Sequence, residues 1–418
     1  MPDNARVCII PPSRPCSEEI ELTQGHGPFV RCLDKMNSQS VSGMDYRDLV
    51  AEFGSPLLVL DQAAVRQQYR ALSAALPGVT LHYALKPLPH MGVIEVLKAE
   101  GASFDLATNG EVDLMRDAGI DPTTCIHTHP IKRDGDIRHA LDYGCNIFVF
   151  DNPTELKKFL PYRDSARLLL RVSFPNPETK VDLSKKFGCR PEMVLPMLRQ
   201  ARAMEIPVIG LSFHVGSQVP NARRHVEAIN ACNDLLRQAA AEGLGLEVLD
   251  IGGGFPVDYQ NEAPLDIDAF CAPIRAALTQ TPEHIRLLAE PGRFISAPAM
   301  TSISSVMGKA ERFDVPWYYL DDGLYGSYSG QLFDHIDYPK SAPYARGPLH
   351  TSVLAGPTCD SIDVIAEHIA LPELEVGDLI VGRMMGAYTW ASATEFNFFR
   401  KANIVVIDSD VAALQAVA

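Results

Sequence analysis

Between residues 81 and 289, short apolar runs alternate with longer amphipathic stretches, and this alternation sets the expected fold. The runs cover 81–85, 103–107, 125–129, 146–150, 167–173, 208–215, 248–252 and 286–289. Helix-like segments at 91–100, 110–118, 133–143, 191–203 and 222–242 lie between them, giving the rhythm of parallel β/α units. Eight such units suggest a closed (β/α)8 barrel of the TIM type, with an open doubly wound sheet as the competitor. The polar residues decide between them. Lys86, Asp105, His129, Arg171, His214, the glycines 252–254 and Glu290 fall at or just after the carboxyl ends of different strands, where barrel enzymes place their chemistry.

Outside that stretch the pattern changes. Residues 1–44 are rich in Pro, Ser and polar residues without sustained periodicity, and are expected to form an N-terminal extension capable of partial disorder. From Tyr46 a helix-like stretch leads to a strand-like run at 56–60. After about residue 298 the βα rhythm stops, and strand-like runs follow at 301–307, 316–320, 351–355, 378–382 and 402–407, punctuated by Pro and Gly. These read as an antiparallel β domain completed by the strand near 56–60, so that the barrel is inserted between its two pieces. The expected divisions are 1–44 (extension), 45–60 (strand given to the β domain), 61–298 (barrel) and 299–418 (β domain).

Composition adds limits. A chain of 418 residues with 46% hydrophobic and 21% charged residues fits a globular enzyme of two domains. No apolar run approaches the roughly 20 residues that span a bilayer. The N-terminus has no signal-like apolar core, Pro11 and Pro12 interrupting its one short run, so a cytoplasmic location is expected. Nine cysteines without CxxC pairs suggest reduced thiols, and neither zinc nor another metal is indicated. A net charge of −15 argues against nucleic acid and anionic membrane as partners and is compatible with a cationic small molecule.

Within His82-Tyr83-Ala84-Leu85-Lys86-Pro87 a lysine ends a buried strand before a helix-breaking proline. It is either a lysine whose stem is buried while its amine reaches solvent, or a Schiff-base lysine whose amine is lowered in pKa and shielded from water. Asp105 ends the next strand and could orient that amine, since Thr108 or Asn109 can serve as the helix cap. Asp250-Ile251-Gly252-Gly253-Gly254-Phe255-Pro256 lets backbone N–H groups approach an oxyanion, or is a tight strand-to-loop turn. Glu290-Pro291-Gly292-Arg293 offers a guanidinium for phosphate and a carboxylate able to keep a pyridine nitrogen protonated, unless the two pair with each other. His214 can stack on an aromatic cofactor while Ser217 donates to phosphate, or His214 is a satisfied core residue. Asp334 and Asp360 could together hold a distal ammonium, and the Cys359 thiol could donate a proton.

With these residues in place, the sequence resembles the fold-type III pyridoxal-phosphate decarboxylases, in the ornithine/lysine branch, over roughly residues 45–410. The motifs that carry the resemblance are HYALKP, FDLAT, FHVGS, DIGGGFP, EPGRF, LYGSY, LFDH, GPTCDSID and GAYT, in that order. The resemblance implies an alanine-racemase-like barrel with a C-terminal β-barrel domain, in a head-to-tail homodimer with active sites at the interface. It implies Lys86 as the Schiff-base lysine, His214 stacked on the ring and Glu290 at the pyridine nitrogen, with Asp105, Arg171, Ser217, Gly253, Gly254, Gly292, Arg293 and Tyr388 completing the cofactor site. Cys359 would protonate the carbanion, and Asp334, Asp360, Tyr325 and Phe396 would line the substrate site, Cys359 and Asp360 coming from the partner chain.

The expected reaction is decarboxylation of L-ornithine to putrescine, of L-lysine to cadaverine, or of both. The diaminopimelate-acting branch typically carries a CES motif where this chain has Cys359-Asp360, and a carboxylate there suits a terminal amine. Racemisation on the same fold is opposed by Glu290, because racemases of this fold place an arginine there. A non-catalytic homologue acting as a binding protein is the alternative from another class.

Overall fold

The computed structural model describes residues 45–176, 183–260 and 265–409; the extension expected over 1–44 lies outside them. Helix α1 (Tyr46–Phe53), its N-terminus held by the Asp45 carboxylate, leads into β1 (Leu57–Asp61). Asp61 then ends the strand and caps the next helix, accepting from the Ala63 N–H at 3.0 Å.

The barrel strands follow as β2 (Val79–Ala84), β3 (Ser103–Leu106), β4 (Cys125–His127), β5 (Ile147–Phe150), β6 (Arg167–Val172), β7 (Val208–Phe213), β8 (Val248–Asp250) and β9 (Arg286–Ala289). All pair in parallel with their sequence neighbours, and β9 returns to β2 to close the ring. Around them run α2 (Gln62–Ala75), α3 (Met91–Ala99), α4 (Asn109–Asp117), α5 (Asp134–Tyr143), α6 (Pro153–Lys158), α7 (Val194–Ala203), α8 (Arg223–Ala241) and α9 (Ile267–Leu278). Polar caps start several of them, including Thr108, which accepts from the Glu111 N–H and leaves Asp105 free.

Strand alternation divides the apolar residues in two. One set packs between strands and helices in the main core. Val149, Leu169, Ile209, Val248 and Leu288 form a separate cluster, the filling of the barrel itself. Gly210 is required beside that filling, because a Cβ there would come within 2.3 Å of the Val248 carbonyl oxygen.

After α10 (Arg293–Ser296) the chain enters the second sheet: β10 (Met300–Arg312), β11 (Val315–Leu320), β12 (Lys340–Ser341), β13 (His350–Ala355), β14 (Val364–Leu371), β15 (Leu379–Gly382) and β16 (Asn403–Ile407), with α11 (Gly330–Phe333) between β11 and β12. Its long strand β10 pairs with β1 and β15 through one half and with β11 through the other, which bends the sheet into a near-barrel. The sheet is antiparallel except where β1 lies parallel to β16 and β11 to β13. Because β1 pairs here, the barrel is inserted within the β domain. No described helix is long and apolar enough to cross a membrane.

One core position has a pH signature. His127 is 1% exposed, neither ring nitrogen finds a hydrogen-bond partner, and burial pushes its pKa down to about 3. A depressed histidine stabilises the fold fully above its unfolded pKa, near 6.5, and that contribution is lost as pH falls toward the folded value. Replacing His127 with Leu should therefore improve stability relative to the parent by about 1 kcal/mol per pH unit between pH 6 and 4. Parallel urea titrations measure the difference; a gap independent of pH would contradict it.

Candidate active site

Lys86 stands just past the end of β2, where β3 and two loop segments anchor the backbone around it: Ala84 N–H donates to Pro291 O (3.0 Å), Leu85 N–H to Asp105 O (3.2 Å) and Tyr388 N–H to Pro87 O (3.0 Å). The Lys86 Nζ lies 3.6 Å from Asp105 Oδ2. Asp105, 3% exposed, also accepts from the Thr128 hydroxyl at 2.5 Å. The amine does not have the lowered pKa expected from sequence. Burial disfavours the ammonium, but Asp105, Tyr388 and Glu290 outweigh it and hold the pKa above its ordinary value. Asp105 is in turn pushed up to about 7, by burial first and by Glu290 second, against the pull of Lys86.

Glu290 and Arg293 do not pair with each other. Glu290 ends β9 against Asp250 at the end of β8, and burial together with that neighbouring carboxyl pushes it well above the usual range. Asp250 is itself raised to about 6 by burial, while its Oδ1 accepts from the Gly252 N–H at 2.9 Å. The pair thus favours the protonated form of Glu290. Sequence reading had not singled out Asp250, although two-residue alternation places it on the same inward face as Gly252.

His214 receives the Gly216 N–H on Nδ1 at 3.0 Å, which fixes a tautomer carrying its proton on Nε2. Burial, Arg171 and Lys86 keep it neutral by lowering its pKa far below 6.5. Nε2 borders Gly253, where a Cβ would come within 3.2 Å of it and 2.7 Å of the Glu290 carbonyl oxygen. Gly254 (φ +98°) would meet the Gly216 carbonyl at 2.6 Å. Any side chain would therefore close this cradle of backbone. Arg171, half-buried with its guanidinium 5.4 Å from the Phe187 ring, adds positive charge near His214 and Glu290. His129 instead packs against the edge of Phe187.

At the glycine end, Gly292 caps α10 and Arg293 begins it. The guanidinium donates to Tyr259 OH (3.0 Å), Ser217 Oγ (3.3 Å) and Asp334 Oδ2 (2.5 Å) and lies 4.8 Å from the Tyr388 ring centre. Its Nε is buried without a partner, so the group can still take an anion. Tyr259 gave no signal in the sequence. Asp334, brought there by the turn after α11, pairs with Arg293 at the anion end.

Lys86, His214, Ser217, Gly253, Gly254, Glu290, Gly292, Arg293, Asp334 and Tyr388 line one cavity of about 250 Å³. Cys359, Asp360, Tyr325 and Phe396 are not among its lining. They gather on the β domain, where Asp360 Oδ2 accepts from Tyr325 OH at 2.5 Å, Tyr325 stacks on Phe396 with centres 4.4 Å apart, and Cys359 Sγ lies 3.3 Å from Asn397 Oδ1. Cys359, Phe396 and Phe398 are exposed there. An amine, a carboxyl of raised pKa, a neutral imidazole and an anion cradle in one cavity can hold a flat ring with an anionic tail; the exposed thiol and carboxylate stand apart.

Residues 62–297 match the family model described as pyridoxal-dependent decarboxylase, pyridoxal binding domain. A lysine/ornithine decarboxylase of Selenomonas ruminantium is 33% identical over 373 residues, 89% of this chain and 95% of that one. An antizyme inhibitor 2 of Xenopus laevis is 35% identical over 359 residues, covering 81% and 78%. Among solved structures, the lysine/ornithine decarboxylase of Vibrio vulnificus complexed with cadaverine is 56% identical with a TM-score of 0.83, covering 87% of this chain and 95% of that chain.

Proposed function

The chain belongs to the pyridoxal-dependent decarboxylases, and on that footing we propose that it removes the α-carboxyl group of L-lysine and L-ornithine, releasing cadaverine and putrescine. The observation that carries this reading is the convergence of Lys86, Glu290, His214 and Arg293 on one cavity whose glycine wall admits no side chain. The partnerless Arg293 Nε and the cradle fit the phosphate of pyridoxal phosphate, and the raised Glu290 fits its ring nitrogen. When bound, the cofactor supplies the electron sink that accepts the pair left as the Cα–carboxylate bond breaks.

The protein's own groups then have separate tasks. Lys86 would hold the cofactor through its amine, with Asp105 stabilising positive charge at Nζ. Glu290 would stand at the ring nitrogen and favour its protonated form, with Asp250 fixing its orientation. His214 packs on the ring face as a neutral imidazole, so it adds no competing charge. Ser217, Arg293, Gly253, Gly254 and Tyr388 would hold the phosphate, while Asp334 lines the same cavity and would meet the distal amine of the substrate.

The exposed Cys359–Asp360 loop, with Tyr325 and Phe396, supports a homodimer in which this loop enters the partner's barrel mouth. There Asp360 would hold the distal ammonium and Cys359 would return a proton to Cα. The enzyme would act in the cytoplasm, where exposed Cys359 stays reduced. Similarity to an antizyme inhibitor raises a non-catalytic reading, which the presence of Lys86, Asp105, Cys359 and Asp360 opposes. Carbon dioxide release from L-lysine, L-ornithine, L-arginine and meso-diaminopimelate separates the readings. Turnover of lysine and ornithine with neither of the others is expected, and silence on the first two would overturn the proposal.

A further inference from the structure

The barrel has a second cavity at its opposite end, about 580 Å³ in volume. Its wall includes Thr80, His82, Ser103 and Arg286 from the entering ends of β2, β3 and β9, and Thr281 and Glu283 from the turn before β9. Leu288, part of the apolar filling, also lines it, while Glu290 two residues further along the same face of β9 belongs to the active site. A layer of aliphatic side chains thus separates two polar chambers.

Two buried groups in the second chamber lack the partners that such groups normally have, and the exposed Arg286 stands beside them. His82 is 5% exposed, and its Nδ1 makes no hydrogen bond. The Thr281 hydroxyl is likewise buried without a partner. Arg286 enters no ion pair and no side-chain hydrogen bond among the described residues.

Their chemistry is specific. Burial, with the nearby Arg286 charge, holds His82 neutral, and its N–H serves the Thr80 carbonyl. The remaining ring nitrogen is then an acceptor that needs a hydrogen. Arg286 presents donors in a planar fork that suits paired oxygens. One occupant that satisfies both has negative oxygens and a proton of its own. Glu283, exposed at the mouth, disfavours a fully ionised anion, and the Arg286 charge disfavours an amine.

We propose that this chamber binds a small oxyanion that retains a proton, of the hydrogenphosphate or hydrogencarbonate class, as a site distinct from the catalytic cavity. Thr80, His82, Ala84 and Lys86 alternate onto the same face of one chain segment, so an occupant braces the strand that presents Lys86.

The test is isothermal titration of the holoenzyme with inorganic phosphate and, separately, with hydrogencarbonate, at constant ionic strength in chloride. Saturable binding of at least one, at one site per chain and without loss of the cofactor's absorbance, is expected; which anion saturates identifies the source. Arg286→Gln should weaken it by about tenfold or more, with decarboxylation in anion-free buffer unchanged, and Thr281→Val should weaken it less. Absence of saturable binding, binding that displaces the cofactor, or binding that survives both substitutions would overturn the proposal.

Discussion

Replacing Lys86 with Ala is expected to lower carbon dioxide release from lysine and ornithine by on the order of 10³-fold or more. The same variant should lose the visible absorbance of covalently held cofactor. The reason is local. No other amine among the described residues lines the cavity at that end of β2, and the carboxylates around it, Asp105 and Glu290, cannot form the same bond. The fold should survive, because the backbone bonds that anchor residues 84–88 do not involve the Lys86 side chain. Circular dichroism checks the fold, and absorbance and steady-state rates check the role. An unchanged band with activity within a few-fold of the parent would remove Lys86 from the chemistry.

Asp360→Ala should lower kcat/KM for both diamine-forming substrates by on the order of 100-fold, mostly through KM, because it removes a contact to the distal ammonium that is made in ground and transition states alike. Asp360 is held ready for this work: its hydrogen bond from Tyr325 and a backbone N–H from Ile362 keep its carboxyl below the usual range, so it stays ionised. Steady-state kinetics on lysine and ornithine measure the effect. An unaltered KM would take Asp360 out of the substrate site.

How far the sequence carried these conclusions depended on distance along the chain. All barrel strands were legible because each is a short apolar run bounded by turn residues and followed by a polar group. Strand β14 was not, since it lies at the end of the sheet path and exposes charged Glu367 and His368 among its apolar residues. Strand β12 is two residues long and leaves no pattern at all. In the site, Lys86, His214, Glu290 and the glycines announced themselves by standing at strand ends. The raised pKa of Glu290 beside Asp250 did not, because it arises only when β8 and β9 become neighbours around a closed ring. The grip of Asp334 on Arg293, across 41 residues, and the Tyr259 hydroxyl beside it required the folded chain. The sign of the Lys86 pKa was likewise invisible: burial alone predicts a fall, and only the placed carboxylates reverse it.

The account holds that the Lys86 cavity of one protomer and the Asp360 loop of its partner make a single decarboxylating site. Mixing Lys86→Ala with Asp360→Ala protein under conditions that exchange subunits tests this directly, since a two-fold dimer of the two variants contains one intact site. At lysine concentrations well below the KM of Asp360→Ala, carbon dioxide release is predicted to rise from near zero in each variant alone to about a quarter of the unsubstituted enzyme's rate on mixing. If activity stays at the level of the separate variants although mass spectrometry shows mixed dimers, the shared site is wrong.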